Sequence, residues 1–223
     1  MGVRSRSLRT GEGERVTYLT DALVEMREAD VLAGTRAAVE AGASPAEVVA
    51  ELQAGMRIIG DKFEAGEYYL SELVMSAEIF KGAVAALGLE EVAGDQSRGT
   101  VVLGTVQSDI HDIGKNIVAS VLGANGFRVV DLGVDVPPEA FVAAVKAESA
   151  HVVGLSCLLT TAFSSMERTV AALREAGLRD QVYVMIGGGP VSADLAGKLG
   201  ADDVGLSAQE AVGLAGHYLE AAS

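Results

Sequence analysis

A chain of 223 residues that is 49% hydrophobic has room for one large domain or two small ones, with ample material for a core. Its 31 acidic residues against 17 basic ones give a formal charge of −14, which argues against a nucleic-acid partner because phosphate binding needs a basic face. A single cysteine, Cys157, allows no internal disulfide and makes a reducing cytoplasm the default expectation, and without an apolar run near ~18 residues no membrane span is expected.

Residues 1–15 carry Arg4, Arg6, Arg9 and Arg15 with no apolar stretch behind them, and read as a disordered extension rather than a signal peptide. Residues 16–88 show helical periodicity and no convincing strand. Leu19, Leu23 and Met26 open the pattern, and Val31, Leu32, Ala37, Ala38 and Val39 continue it. Ser44-Pro45-Ala46-Glu47 predicts a helix start, with Ser as N-cap, Pro at the first helical position and Glu closing a capping box. That helix runs through Val48, Val49, Leu52, Met56, Ile59 and Phe63 until Gly66 breaks it. A last helix, near Ser71 to Leu87, places Leu73, Val74, Ala77, Phe80, Val84 and Leu87 on one face. Short breaks imply antiparallel neighbours, hence a bundle of about four helices. Residues 89–99 lose the periodicity and read as a linker.

From 100 to 223 the pattern alternates. Strands are predicted near 100–106, 127–132, 151–156 and 182–187, with a weak fifth near 203–205. Helices are predicted near 114–125, 138–148, 163–176, 191–199 and 208–221. Such βα units demand a parallel sheet with right-handed crossovers. The expected fold class is therefore α/β: an N-terminal helical bundle followed by a flavodoxin- or Rossmann-like five-stranded parallel sheet in the order 2-1-3-4-5. Its switch point falls between the first and third strands, where both following loops open into one crevice.

The first of those loops lies in Thr105–Gly114, TVQSDIHDIG. His111, two residues from Asp109 on a strand-to-helix turn, is placed to ligate a metal while a carboxylate orients it. A capping Asp beside an incidental His would give the same pattern. The third loop, Gly154 to Thr161, offers hydroxyls at Ser156, Thr160 and Thr161 beside an apolar wall, or else ordinary N-cap residues. A nucleophilic Cys157 would need His111, His151 or His217 as base, and nothing ties one to it, so a buried inert thiol is the better reading. Gly187-Gly188-Gly189-Pro190 would let a ligand approach the backbone, without the spacing of a dinucleotide fingerprint or a P-loop. His151 and His217 are out of register with His111, which disfavours a zinc site and favours a single His ligand to a metal that brings its other ligands.

Asp109-Ile110-His111-Asp112-Ile113-Gly114, Ser156-Cys157-Leu158 and Gly187-Gly188 together resemble the D-x-H-x-x-G … S-x-L … G-G signature of cobalamin-binding domains, spacings included. Gly60 to Leu70 is similar to the cap domain of cobalamin-dependent methionine synthase, and residues 20–220 resemble the stand-alone corrinoid proteins of methyl-transfer systems. The resemblance implies cobalamin (methylcobalamin or another corrinoid) as cofactor. His111 would be the lower axial cobalt ligand in a base-off/His-on state, with Asp109 accepting the other imidazole N–H and Asp112, Ile113 and Gly114 beside it. The nucleotide tail would pass Ser156, Leu158 and Thr160, run close to Gly187, Gly188 and Gly189, and end near Ala208. Phe63 and Leu70 would cover the methyl face, unless they are bundle core.

The same resemblance implies a methyl carrier, not catalytic alone. Its partners would be a substrate-specific methyltransferase for methanol, methylamine or methoxy-aromatics and an acceptor methyltransferase of folate or pterin type. A reductive activase is a further candidate partner. The cap would have to move, with 89–99 as hinge. One departure stands out: the family serine six residues beyond Ser156 is Ala162 here, so the proton relay is shortened or Thr160 or Thr161 supplies the hydroxyl. The rival readings are a cobalamin-dependent sensor or photoreceptor, for which no DNA-binding domain is visible, and an adenosylcobalamin mutase subunit, which generally lacks the cap.

Overall fold

Local chemistry sets the helix ends in the first third of the chain. The computed structural model describes residues 12–88 and 97–222, apart from the side chains of 12–17 and 222. Helices α1 (Glu12–Val24), α2 (Glu28–Glu40), α3 (Pro45–Glu64) and α4 (Leu70–Ala86) come first. α1 begins inside the stretch read as an extension, so residues 12–15 are helical; residues 1–11 lie outside the described residues. Glu and Arg are good helix formers that prolong a helix nucleated by the apolar residues downstream, without adding any apolar period of their own. Met26, expected with Leu19 and Leu23 to open the pattern, lies past the end of α1 and turns the chain with a φ of 55° before α2.

The capping box of α3 is formed: the Ser44 N–H donates to the Glu47 carboxylate at 2.8 Å, and the Glu47 N–H donates to Ser44 Oγ at 3.3 Å. The face it starts buries Val48, Val49, Leu52, Met56 and Ile59.

The second part of the chain alternates β1 (Thr100–Thr105), α5 (Ile113–Ala124), β2 (Arg128–Asp131), α6 (Pro138–Glu148), β3 (Val152–Ser156), α7 (Phe163–Glu175), β4 (Tyr183–Gly187), α8 (Ala193–Leu199), β5 (Asp203–Val204) and α9 (Ala208–Ala222). The sheet is parallel throughout in the order β2-β1-β3-β4-β5, as the pattern predicted. Alternate strand residues feed two separate cores. Val101, Val152 and Met185 pack with Leu122 of α5, Val212 of α9 and the helical residues Ile59 and Phe80. Val102, Val153, Val184 and Ile186 pack on the opposite face with Phe141 of α6, Met166 of α7 and Leu199 of α8. The four-helix unit thus shares the core of the α5/α9 face.

Its orientation follows from two close approaches. A Cβ on Gly60 would fall 2.3 Å from Gln209 Nε2 on the first turn of α9, whereas a Cβ on Gly126, just after α5, would fall 2.8 Å from Gln53 Nε2. Helices of βα units run antiparallel to their strands, so the start of α9 marks the carboxyl edge of the sheet and the end of α5 marks the amino edge. α3 therefore runs with the strands, and its C-terminal turn, carrying Phe63, points toward the carboxyl edge. Residues 89–96 of the expected linker lie outside the described residues. Arg98 is tied to the sheet half, its N–H donating to Gly126 O at 2.8 Å and its guanidinium lying 4.8 Å from the centre of the Phe127 ring. Among the described residues no helix is long and apolar enough to cross a membrane.

Candidate functional site

The carboxyl edge between β1 and β3 holds a buried carboxylate that organises three loops. Asp109 is 0% exposed, and each of its oxygens accepts two N–H bonds. Oδ1 accepts from the His111 backbone N–H at 3.0 Å and from His111 Nδ1 at 2.7 Å. Oδ2 accepts from the backbone N–H groups of Leu158 at 2.6 Å and Leu159 at 2.9 Å. Burial pushes the Asp109 pKa up, but these hydrogen bonds outweigh it and hold the group well below the usual carboxylate range. An ionised carboxylate is acceptor-only, so His111 Nδ1 carries a proton, and in the neutral ring the lone pair falls on Nε2. Nearly half of the His111 side chain is exposed.

The loop holding this pair is strained and clasped. Ser108 has a φ of 71° and Asp135, in the loop after β2, a φ of 53°. The Ser108 N–H donates to Asp135 Oδ1 at 2.7 Å, while the Asp135 N–H donates to Asp109 O at 2.9 Å. Beneath them the buried Thr105 hydroxyl donates to His111 O at 2.9 Å. The Val106 N–H donates to Ser156 O at 3.0 Å, prolonging the β1–β3 ladder to the foot of the site. Thr105, Ser108, Asp135 and Leu159 were not singled out from the sequence. Their contributions run through backbone groups and tertiary pairing, which leave no local signal.

The other predicted residues fall as follows. Asp112 sits at the N-cap of α5 with its carboxylate accepting from Asn116 Nδ2 at 3.2 Å. Ile113 is 78% exposed, and a Cβ on Gly114 would meet nothing within 4 Å beyond its chain neighbours and its own helix backbone. Ser156 is half-buried, while Leu158 and Thr160 are exposed. Gly187, Gly188 and Gly189 close β4 beside the third loop. Gly188 is required there by the protein itself: its φ is 131°, and a Cβ would lie 1.9 Å from Cys157 O. Ala208 is buried in the core beneath the start of α9. Phe63 packs partly buried against the same core, and Leu70 stands 49% exposed at the start of α4. Ala162 is buried, Thr160 and Thr161 are exposed, and the second oxygen of Asp109 meets backbone N–H groups where the family pattern has a hydroxyl.

Cys157 is 0% exposed, and burial, reinforced by the charge of Asp109, pushes its thiol up to about 12. It is inert. A groove of 910 Å³ lined by Phe80, Val84, Ala119, Gly123 and Phe127 lies between α4 and α5, apart from the loops of Asp109 and Ser156. Among the described residues no group of three or more His, Cys, Asp or Glu could hold a metal ion, so any metal at His111 would bring its other ligands.

The B12 binding domain family matches this chain twice, over residues 99–214 and over residues 17–87. A trimethylamine corrinoid protein of Methanosarcina barkeri is 41% identical over 203 residues, covering 89% of this chain and 90% of that one. The chain belongs to the B12-binding corrinoid proteins. A dimethylamine corrinoid protein of Methanosarcina acetivorans is 39% identical, with 92% and 96% covered. Among solved structures, the methanol:cobalamin methyltransferase complex of M. barkeri matches with a TM-score of 0.82 at 32% identity, covering 94% of this chain and 81% of that one. A cobalamin-binding protein from Desulfitobacterium hafniense matches with a TM-score of 0.75 at 36% identity, covering 91% and 98%.

The corrinoid protein's own edge fits such a cofactor. Ile110 and Ile113, one and two residues from His111 in the chain, are 72% and 78% exposed, and Leu158 and Leu159 are exposed on the third loop. Exposed aliphatic side chains on the same loops as a half-exposed imidazole suit a flat macrocycle with a metal at its centre. The open space over Gly114 leaves the approach clear.

Proposed function

We propose that this corrinoid protein is a methyl carrier that holds cobalamin base-off with His111 as the lower cobalt ligand. It would alternate between a substrate-specific methyltransferase and an acceptor methyltransferase of folate or pterin type. The observation that carries the reading is the Asp109–His111 pair: a buried, ionised carboxylate fixes Nδ1–H and leaves Nε2 free at the carboxyl edge. When bound, the corrinoid supplies a metal able to accept and release a methyl group.

The chain's residues do the rest. Asp109 sets the tautomer and raises the donor strength of Nε2, which either faces the metal or carries a proton. Thr105 and the Ser108–Asp135 clasp fix the height of the ring above β1. Ser156, Leu158 and Thr160, with Gly187, Gly188 and Gly189, would border a channel for the nucleotide tail, and Ala208 would mark its far end. Phe63 and Leu70 stand at the end of the helical unit nearest the carboxyl edge, where they would shield the exchangeable face until the unit swings away.

End-to-end likeness to methylamine corrinoid proteins favours a carrier over a sensor or a mutase subunit. The match to the methanol:cobalamin methyltransferase complex supports a methyltransferase as docking partner. Reconstituting wild-type protein and His111→Gly with cobalamin tests the ligand assignment. The wild type is expected to show the spectrum of a nitrogen-ligated corrinoid and the variant that of the base-off form. Identical spectra would overturn the assignment.

A further inference from the structure

Lysine is almost never fully buried unless paired, yet Lys115, on the first turn of α5, is 3% exposed. Its ammonium donates to Asp131 Oδ2 at 2.5 Å and to Asn116 Oδ1 at 2.7 Å. From there two hydrogen-bonded paths lead to the two sides of His111. On the first, Asp131 Oδ1 accepts from the Gly133 N–H at 2.9 Å, Gly133 O accepts from the Thr105 N–H at 2.9 Å, and the Thr105 hydroxyl donates to His111 O at 2.9 Å. On the second, Asn116 donates through Nδ2 to Asp112 Oδ2 at 3.2 Å and through its backbone N–H to Asp112 O at 2.8 Å, on the residue that follows His111.

We propose that Lys115 is a positioning residue for the metal ligand, one ammonium that locks both flanks of the loop presenting His111. The inference rests on the reading that His111 ligates the corrinoid's metal. A buried ion pair contributes little net stability, because desolvation offsets its Coulomb attraction; what it supplies is a fixed geometry. That geometry matters here because the ring nitrogen must sit at one height and angle beneath a rigid macrocycle. A group bonded directly to a metal ligand, as Asp109 is to His111, typically changes affinity by about 10–100-fold when removed; Lys115 acts through intervening hydrogen bonds, so the lower end of that range is its ceiling.

The experiment compares Lys115→Met, which keeps the aliphatic stem, with Asp131→Asn, the double variant, and His111→Gly, each loaded with cobalamin. Dissociation constant, the fraction of bound cofactor with a nitrogen-ligated spectrum, and melting temperature are measured for each. Lys115→Met is expected to bind more weakly, by at most about tenfold, and to shift bound cofactor toward the base-off spectrum. Asp131→Asn is expected to do the same to a smaller extent, with the double variant no worse than Lys115→Met alone because both act through one network. A folded Lys115→Met with a lowered melting temperature but wild-type spectrum and affinity would overturn the proposal and leave Lys115 a purely structural residue. Should Lys115→Met fail to fold, Asp131→Asn decides, since Asp131 is about one-third exposed. A wild-type spectrum in His111→Gly overturns the ligand reading itself, whereas a changed His111→Gly beside an unchanged Lys115→Met overturns only the positioning role.

Discussion

Replacing Asp109 with Asn tests how the site chooses its tautomer. The carboxylate accepts four N–H bonds, two on each oxygen. An amide must turn its NH₂ toward one of those pairs. Facing the third loop, it would leave the Leu158 and Leu159 N–H groups unpaired, at about 1–3 kcal/mol each. Facing His111, it orphans only the His111 backbone N–H, because the imidazole adapts by moving its proton from Nδ1 to Nε2. The second arrangement wins by about 1–3 kcal/mol, the cost of one orphaned donor. It places a hydrogen on the atom that must be bare to bind a metal.

Asp109→Asn should therefore remain folded, lose about 1–3 kcal/mol of stability, and melt about 2–4 °C lower per kcal/mol lost. Spectral titration with cobalamin should show affinity reduced by about 10–100-fold and the bound cofactor largely base-off. Wild-type affinity together with a nitrogen-ligated spectrum would refute the tautomer argument.

The native Cys157 thiol should resist iodoacetamide at pH 8 and react only after unfolding; labelling of the native protein at the rate of a free thiol would contradict its burial. Its pKa is raised to about 12 in the folded chain, whereas an unfolded thiol ionises near ~8.5. The unfolded state therefore sheds this proton first, and the thiol's contribution to stability is complete below ~8.5 and lost as pH climbs toward the folded value, by about 1.4 kcal/mol per pH unit. Urea titrations should show the stability difference between wild type and Cys157→Ala shrinking over that window. Gly188→Ala should cost about 3 kcal/mol or more, since the new Cβ meets a backbone carbonyl at a φ that L residues rarely adopt; a loss under ~1 kcal/mol in urea unfolding would mean that the two loops separate freely. Thr105→Val should cost about 0.5–1.5 kcal/mol and weaken corrinoid binding, both measurable on the same samples.

What the sequence made legible was whatever short-range patterning controls. The Ser44–Glu47 box, the β-branched run of β1 and the spacing of the βα units each determine local structure, and five such units suit the flavodoxin-like strand order that is found. The Asp109–His111 adjacency was readable because the two partners are two residues apart. The rest of the site comes from chain segments distant in sequence. Nothing around Asp135 announces that it clasps Ser108, and the backbone N–H groups of Leu158 and Leu159 carry no side-chain signature. Gly188 looked like room for a ligand, and its first constraint is the Cys157 carbonyl. Lys115 was passed over because a helix pattern shows which face a residue occupies and not whether a distant Asp131 will pair with it. Glu12 to Arg15 show the opposite failure, a helix extension built from residues with no apolar period.

Growing the protein with ¹⁵N-histidine, loading it with cobalamin and recording the electron paramagnetic resonance of the Co(II) state reads the axial ligand directly. If His111 Nε2 is that ligand, the nitrogen superhyperfine triplet of the unlabelled protein becomes a doublet on labelling and vanishes in His111→Gly. A triplet that survives the label would show that the cofactor's own base, or some other nitrogen, holds the metal, and the account built on Asp109 and His111 would fall.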